Sequence, residues 1–261
     1  MIETIRIDDL TVTCARPATA QHRPVLLVHG YFATAAVFRE WLPFFAQRGI
    51  PTYAVNLRGR EGSRPGIDLG KTSISDFVDD VAAVAMHLDR PIVVGHSMGG
   101  LLVQCLAERG LAHAAALITP APPRGISVLS PALIARQLKY LPAILRSRVV
   151  RPSARDLNAL VLNHVPGDQR PGVLRELVPD SGRAGRDMSI TGVPVEARRV
   201  RCPVFVVGAD DDHFIPPPVV RRVASRYGAP IQNMVGRGHM LVLEPGWKAV
   251  ADVVARWCAS V

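Results

Sequence analysis

Short, fully apolar runs closed by glycine or a polar turn alternate along this chain with longer stretches whose apolar residues recur every three or four positions. Val25-Leu26-Leu27-Val28, Thr52-Tyr53-Ala54-Val55, Ile92-Val93-Val94, Ala115-Ala116-Leu117-Ile118 and Val204-Phe205-Val206-Val207 predict central strands covered on both faces. Residues 5–7 and 11–14 predict two short opening strands about an Asp8-Asp9 turn. Val37, Phe38, Trp41, Leu42 and Phe45 predict one helix that Gly49 stops. Ile74, Phe77, Val78, Val81, Val84, Ala85 and Leu88 predict a second, opened by a Ser73-Ile74-Ser75-Asp76 capping box and ended before Pro91. Leu101, Leu102, Cys105 and Leu106 mark a third. Residues 219–226 predict a further helix, 231–235 a last strand, and Trp247, Val250, Val254 and Trp257 a closing helix. Such alternation calls for an α/β fold with a mostly parallel central sheet and helices on both faces.

The rhythm breaks at Pro120 and resumes after Val200, which divides the chain into a core of residues 1–119 and 201–261 and a helical insertion, or lid, of residues 120–200. Ser130-Pro131 opens a predicted helix carrying Ile134, Leu138, Leu141 and Leu145, and shorter helical pieces follow at 157–161 and 173–177. These arginine-bearing amphipathic helices are expected across the C-terminal edge of the sheet, where open α/β sheets bind ligands.

Composition narrows the function. At 48% hydrophobic and 20% charged, 261 residues suffice for one large core. The formal charge of +9 raises nucleic acid or an anionic membrane as partners. The basic residues are scattered, however, lysines are confined to Lys71, Lys139 and Lys248, and aromatics are 5%, so the reading is a solvated arginine-rich surface and no nucleic-acid partner. Cys14, Cys105, Cys202 and Cys258 lie far apart without metal-ligand spacing and read as buried free thiols of a reducing compartment. The acidic N-terminus lacks the pattern of a signal peptide, and no apolar stretch is long enough to span a bilayer. The expectation is a cytoplasmic protein without stable membrane insertion and without a metal or other cofactor; oligomeric state stays open.

The chemistry is carried by Gly95-His96-Ser97-Met98-Gly99-Gly100, between a predicted strand and a predicted helix. Flanking glycines let a serine take a strained turn that exposes its hydroxyl, and the following helix aims its N-terminus at negative charge forming beside it. A serine hydroxyl is a poor nucleophile, so an imidazole must take its proton, and a carboxylate must orient that imidazole. His239, between Gly238 and Met240, is the candidate base, and the acid lies in Asp210-Asp211-Asp212. Amides of Tyr31 and Met98 are the natural pair of oxyanion donors. His29 is expected to shape the oxyanion loop, and His96 to pack beside the serine.

These motifs resemble the α/β-hydrolases nearly end to end, through His29-Gly30, the serine hexapeptide, the 208–216 loop, and Gly238-His239-Met240 with Glu244-Pro245-Gly246-Trp247. The serine, acid, histidine order is that of the family. The resemblance implies Asp212, four residues before Pro216, as the acid, whereas a short loop counted from Gly208 gives Asp211; Asp210 is expected to cap the loop or to face solvent. One departure is Asn56-Leu57-Arg58-Gly59-Arg60-Glu61-Gly62, where many relatives carry Asp-Leu-Arg-Gly-His-Gly, in a loop that usually stabilises. The implied function is cofactor-independent hydrolysis of a hydrophobic small-molecule carboxylic ester through an acyl-enzyme. Ser97, Asp212 and His239 are the expected catalytic residues, and Phe32, Met240, Leu138 and Leu141 are expected to line the pocket. The same residues could serve lactone, thioester or carbon-carbon bond hydrolysis, perhydrolysis, or a ligand receptor that has no turnover.

Overall fold

Strands β1 (Ile2–Ile7), β2 (Leu10–Ala15), β3 (Val25–Val28), β4 (Thr52–Val55), β5 (Ile92–His96) and β6 (Ala114–Ile118) follow the predicted runs closely in the computed structural model, which describes residues 2–128, 135–136 and 138–261. A short pair, β7 (Val149–Val150) and β8 (Asp180–Ser181), comes next, before β9 (Val204–Ala209) and β10 (Ile231–Met234). Among the described residues eight strands form one sheet in the order β1-β2-β4-β3-β5-β6-β9-β10. β1, β2 and β4 pair antiparallel, and every contact from β4 to β10 is parallel.

Alternation of side chains along each strand builds two cores. Leu26, Val28 and Val93 enter one, with Phe77, Val81, Leu101 and Leu102; Val25, Leu27, Ile92 and Val94 enter the other, with Phe38, Trp41, Phe45 and Val254. Burial of each such side chain stabilises the fold by about 1.5–3 kcal/mol.

The helices α1 (Trp41–Ala46), α2 (Ile74–His87) and α3 (Met98–Glu108) cover these faces. The helix expected from Val37 to Gly49 is split into a 3₁₀ turn, Ala35–Phe38, and α1. Pro43 explains the break: its ring excludes a hydrogen bond to residue 39, so the α-helix must begin late enough to keep proline in its first turn. The capping box of α2 forms as expected, with Ser73 Oγ accepting from Asp76 N and Asp76 Oδ2 accepting from Ser73 N.

Between β6 and β9 the described chain adds no strand to the large sheet. It forms α4 (Leu141–Leu145), α5 (Ala154–Leu160), α6 (Arg170–Glu176), α7 (Gly182–Arg186) and the antiparallel β7–β8 pair. Ser130, Pro131 and Ile134 of the expected helix lie outside the described residues. Its later part is a 3₁₀ turn, Leu138–Tyr140, followed by α4, because Pro142 again requires a helix start. Helices α8 (Pro217–Tyr227) and α9 (Trp247–Ser260) complete the sheet's cover.

Two expectations are refined. Cys14, Cys105 and Cys258 are buried free thiols as expected, but Cys202 is only half-buried. The arginines are not all solvated surface: Arg58 and Arg64 pair with fully buried Asp80, and Arg60 is itself buried against Asp180. Scattered sequence positions hid this use of the guanidinium as a fork for buried carboxylates.

The backbones of β3, β5 and α3 meet with no side chain between them. A Cβ on Gly99 would lie 2.2 Å from Val28 O. Gly99→Ala is therefore expected to lower stability in urea denaturation by about 1–3 kcal/mol or more. Gly172→Ala, in α6 with nothing within 4 Å of its Cβ position, should gain about 0.4–1 kcal/mol. Equal effects of the two would show that the close approach imposes no constraint.

Candidate active site

Ser97 joins β5 to α3 at φ 56 and ψ −120, a conformation worth about 1–3 kcal/mol of strain in a side-chain-bearing residue. The surroundings hold it there. Ser97 N donates to Ile118 O at 3.0 Å, and its carbonyl accepts from Gly100 N and Ala121 N, each at 2.9 Å. A Cβ on Gly95 would lie 2.3 Å from Gly99 O, so glycine is required for the strand and helix to meet at this angle.

Asp212 follows β9 and His239 follows β10. His239 Nε2 lies 3.0 Å from Ser97 Oγ, and its Nδ1 lies 2.8 Å from Asp212 Oδ2. The other oxygen, Asp212 Oδ1, accepts from Phe214 N and Ile215 N, both at 2.8 Å, which fixes the carboxylate plane. All three side chains are buried. A carboxylate on Nδ1 selects the imidazole tautomer whose Nε2 can accept a hydroxyl proton.

Asp211 points elsewhere. It is exposed, and its two oxygens take His164 Nε2 at 2.6 Å and His213 Nε2 at 3.1 Å, while its carbonyl accepts from Asn163 Nδ2 at 2.8 Å. The His164 hydrogen bond, foremost, holds its carboxyl below the usual range. Asp210 Oδ1 accepts from Gly236 N at 2.7 Å, the expected loop cap.

The neighbouring histidines have defined tautomers. His96 Nε2 donates to the carbonyl of His239 at 2.8 Å, and burial lowers its pKa to about 3. His29 Nδ1 donates to Gly30 O at 2.9 Å and its Nε2 accepts from Leu57 N, with burial again holding the ring neutral. Glu244, buried, accepts from Gly238 N at 3.0 Å; burial raises its pKa.

Ser97 and His239 open into a cavity of about 530 Å³ whose walls include Tyr31, Phe32, Met98 and Met240. Leu138 and Leu141 are not among its lining residues. Tyr140 and Ile144 stand there instead, four residues apart and so on one helical face, whereas Leu138 is half-exposed. Asp156, Leu157 and Met188 from the 120–200 segment also reach it.

Two side chains beside this site carry no sequence signal. Asp180 and Arg60 are fully buried and paired, and Asp180 Oδ2 accepts the Phe32 N–H at 2.8 Å. Arg60 sits in the loop that departs from the family pattern. Nothing near Asp180 in sequence distinguishes it from a turn aspartate.

The profile of the Alpha/beta hydrolase family matches residues 25–253. The chain belongs to that family. A monoacylglycerol lipase of Mycolicibacterium smegmatis is 28% identical over 94% of this chain and 90% of its own length. Among solved structures, the monoacylglycerol lipase of Paleococcus ferrophilus superposes with a TM-score of 0.72 at 21% identity, covering 96% of this chain and 98% of that one. The enol-lactonase of Burkholderia xenovorans gives 0.72 at 18% identity, over 97% and 98%. This α/β-hydrolase thus shares its fold with enzymes named for different substrates. Among its described residues no helix is long and apolar enough to cross a membrane, and no group of three or more His, Cys, Asp and Glu is arranged to hold a metal ion.

The neutral, buried His96 has a consequence for stability. An unfolded histidine binds a proton near pH ~6.5 while folded His96 does so only at about 3. Below pH ~6.5 the unfolded chain binds more protons, so stability falls with pH, by up to about 1.4 kcal/mol per unit from this residue. His96→Gln should reduce the acid slope of urea-unfolding free energy by about one proton; an unchanged slope would refute the assignment.

Proposed function

We propose that this α/β-hydrolase cleaves hydrophobic carboxylic esters through an acyl-enzyme, with Ser97 as nucleophile. The observation that carries the reading is the Asp212–His239–Ser97 relay, at 2.8 and 3.0 Å, opening into the cavity. Ser97 Oγ attacks the ester carbonyl as its proton passes to His239 Nε2, and Asp212 stabilises the resulting imidazolium. Met98 and Tyr31 amides hold the oxyanion. Collapse of the tetrahedral intermediate breaks the bond to the alcohol, which takes the proton from His239. Water then attacks the acyl-Ser97 ester, giving its proton to His239, and the acid leaves as Ser97 is reprotonated.

The apolar walls support an acyl chain as the buried part of the substrate, and Phe32 and Met240 line its path beside Ser97. The described part of residues 120–200, which brings Tyr140, Ile144, Leu157 and Met188 to the cavity, serves as its lid. Similarity across most of both chains to a monoacylglycerol lipase supports monoacylglycerols as the first substrate class to try. Lactone, thioester and carbon-carbon substrates would use the same relay and are the competing reading.

The deciding measurement is turnover of p-nitrophenyl esters from acetate to long acyl chains, and of monoacylglycerols, by wild type and Ser97→Ala. Turnover rising with chain length and vanishing in the folded variant is expected; substantial retained activity would assign another nucleophile. Asp212→Asn should lower kcat by on the order of 10⁴-fold, and Asp211→Asn, whose side chain holds His164 and His213, by far less. The reverse ranking would reassign the acid.

A further inference from the structure

The loop carrying Tyr31 is gripped from outside the sheet. Buried Arg60, from the loop after β4, pairs with buried Asp180, at the start of β8. Each also holds residues 32–33: Asp180 Oδ2 accepts from Phe32 N at 2.8 Å, and Arg60 Nε donates to Ala33 O at 3.2 Å, while Arg60 Nη1 donates to Arg58 O and Asp180 Oδ1 accepts from Ser181 N. The same strip adds two more bonds, Val178 N to Phe32 O at 2.8 Å and the Tyr31 hydroxyl to Ser181 O at 2.5 Å.

Stability alone is a poor account of such a pair. Desolvating two charges offsets most of their attraction, and apolar replacements of similar volume are often as stable. The pair acts instead on a backbone with little freedom of its own: Phe32 sits at φ 63, a turn that persists only where its surroundings over-determine it. With the Phe32 amide committed to Asp180, the Tyr31 amide is the donor this loop can offer at the cavity wall. Neither Arg60 nor Asp180 lines the cavity, so neither contacts a substrate held there.

We infer that Asp180, with Arg60 as its charge partner, is a positioning pair for the Tyr31 oxyanion donor, acting on the transition state and not on substrate binding. The inference rests on the ester-hydrolase reading above. It makes residues 178–181 part of the machinery that sets the rate, through a hydrogen bond and a charge pair reaching into the core.

Two double variants that both remove the buried charges separate positioning from stability. Arg60→Gln/Asp180→Asn keeps an oxygen to accept the Phe32 N–H; Arg60→Met/Asp180→Leu does not. Expected is a kcat within a few-fold of wild type for the first. For the second, kcat falls about 10- to 10²-fold, short of the 10²- to 10³-fold for outright loss of a donor, and KM stays nearly unchanged. Affinity for an alkyl boronic acid, whose Ser97 adduct carries a charged oxygen in the oxyanion site, should fall in parallel with kcat. Affinity for the product fatty acid should not. Equal kcat and boronate affinity in two folded variants would overturn the inference, as would a loss confined to KM.

The unmodified protein supplies a readout independent of whether the variants fold. Hydrogen exchange of the Phe32 amide should be slow, as for a buried hydrogen-bonded donor, and exchange at the rate of an open loop would overturn the clamp. Failure of the ester-hydrolase reading is distinct, since wild type would then neither turn over esters nor bind the boronate. In that case slow Phe32 exchange still supports the clamp's geometry, and free exchange removes it.

Discussion

Three backbones without side chains between them set the frame of this site. Gly95 at the end of β5 and Gly99 at the start of α3 approach each other and Val28 O so closely that a methyl group fits at neither position. This contact fixes the angle at which α3 leaves the sheet, and with it the positive φ of Ser97. Two apolar cores hold the contact shut from either side, so the strain at Ser97 is sustained by many buried side chains as well as by its own backbone hydrogen bonds.

The polar groups around the elbow are held by a second layer of specific hydrogen bonds. Asp212 is fixed by two amides before it meets His239, the His239 carbonyl is fixed by His96, and Gly238 is fixed by Glu244. Asp212 and Gly238 are held from within their own loops, and His239 from the end of β5. Such satisfaction is what buried polar atoms require in a low-dielectric interior, and it also restricts the imidazole to one orientation.

Arginine does structural work around the loop after β4. Arg58 and Arg64 converge on Asp80, and Arg60 reaches Asp180. The arginine content is thus in part a set of guanidinium forks that bind buried carboxylates and loop carbonyls, a use for which their planar, permanently charged geometry is suited. The chain thereby ties residues 178–181, far along the sequence, to the loop beside Ser97.

The parallel sheet, its flanking helices and the serine turn were legible in the sequence because each rests on local rules: strand runs buried on both faces, helical periodicity, a capping box, and glycines at the two positions of closest approach. His239 stood out for its place between Gly238 and Met240 before the last helix. The sequence favoured Asp212 over Asp211 only through the family resemblance, since neighbours in a loop differ in where their side chains turn; in the fold Asp212 lies 2.8 Å from His239 Nδ1 while Asp211 meets His164 and His213. It misplaced Leu138 and Leu141 because Pro142 resets the helix and brings Tyr140 and Ile144 to the cavity wall. The Arg60–Asp180 pair was invisible: its members stand 120 residues apart in the chain, and only the packing of β8 against the loops of the sheet brings them together.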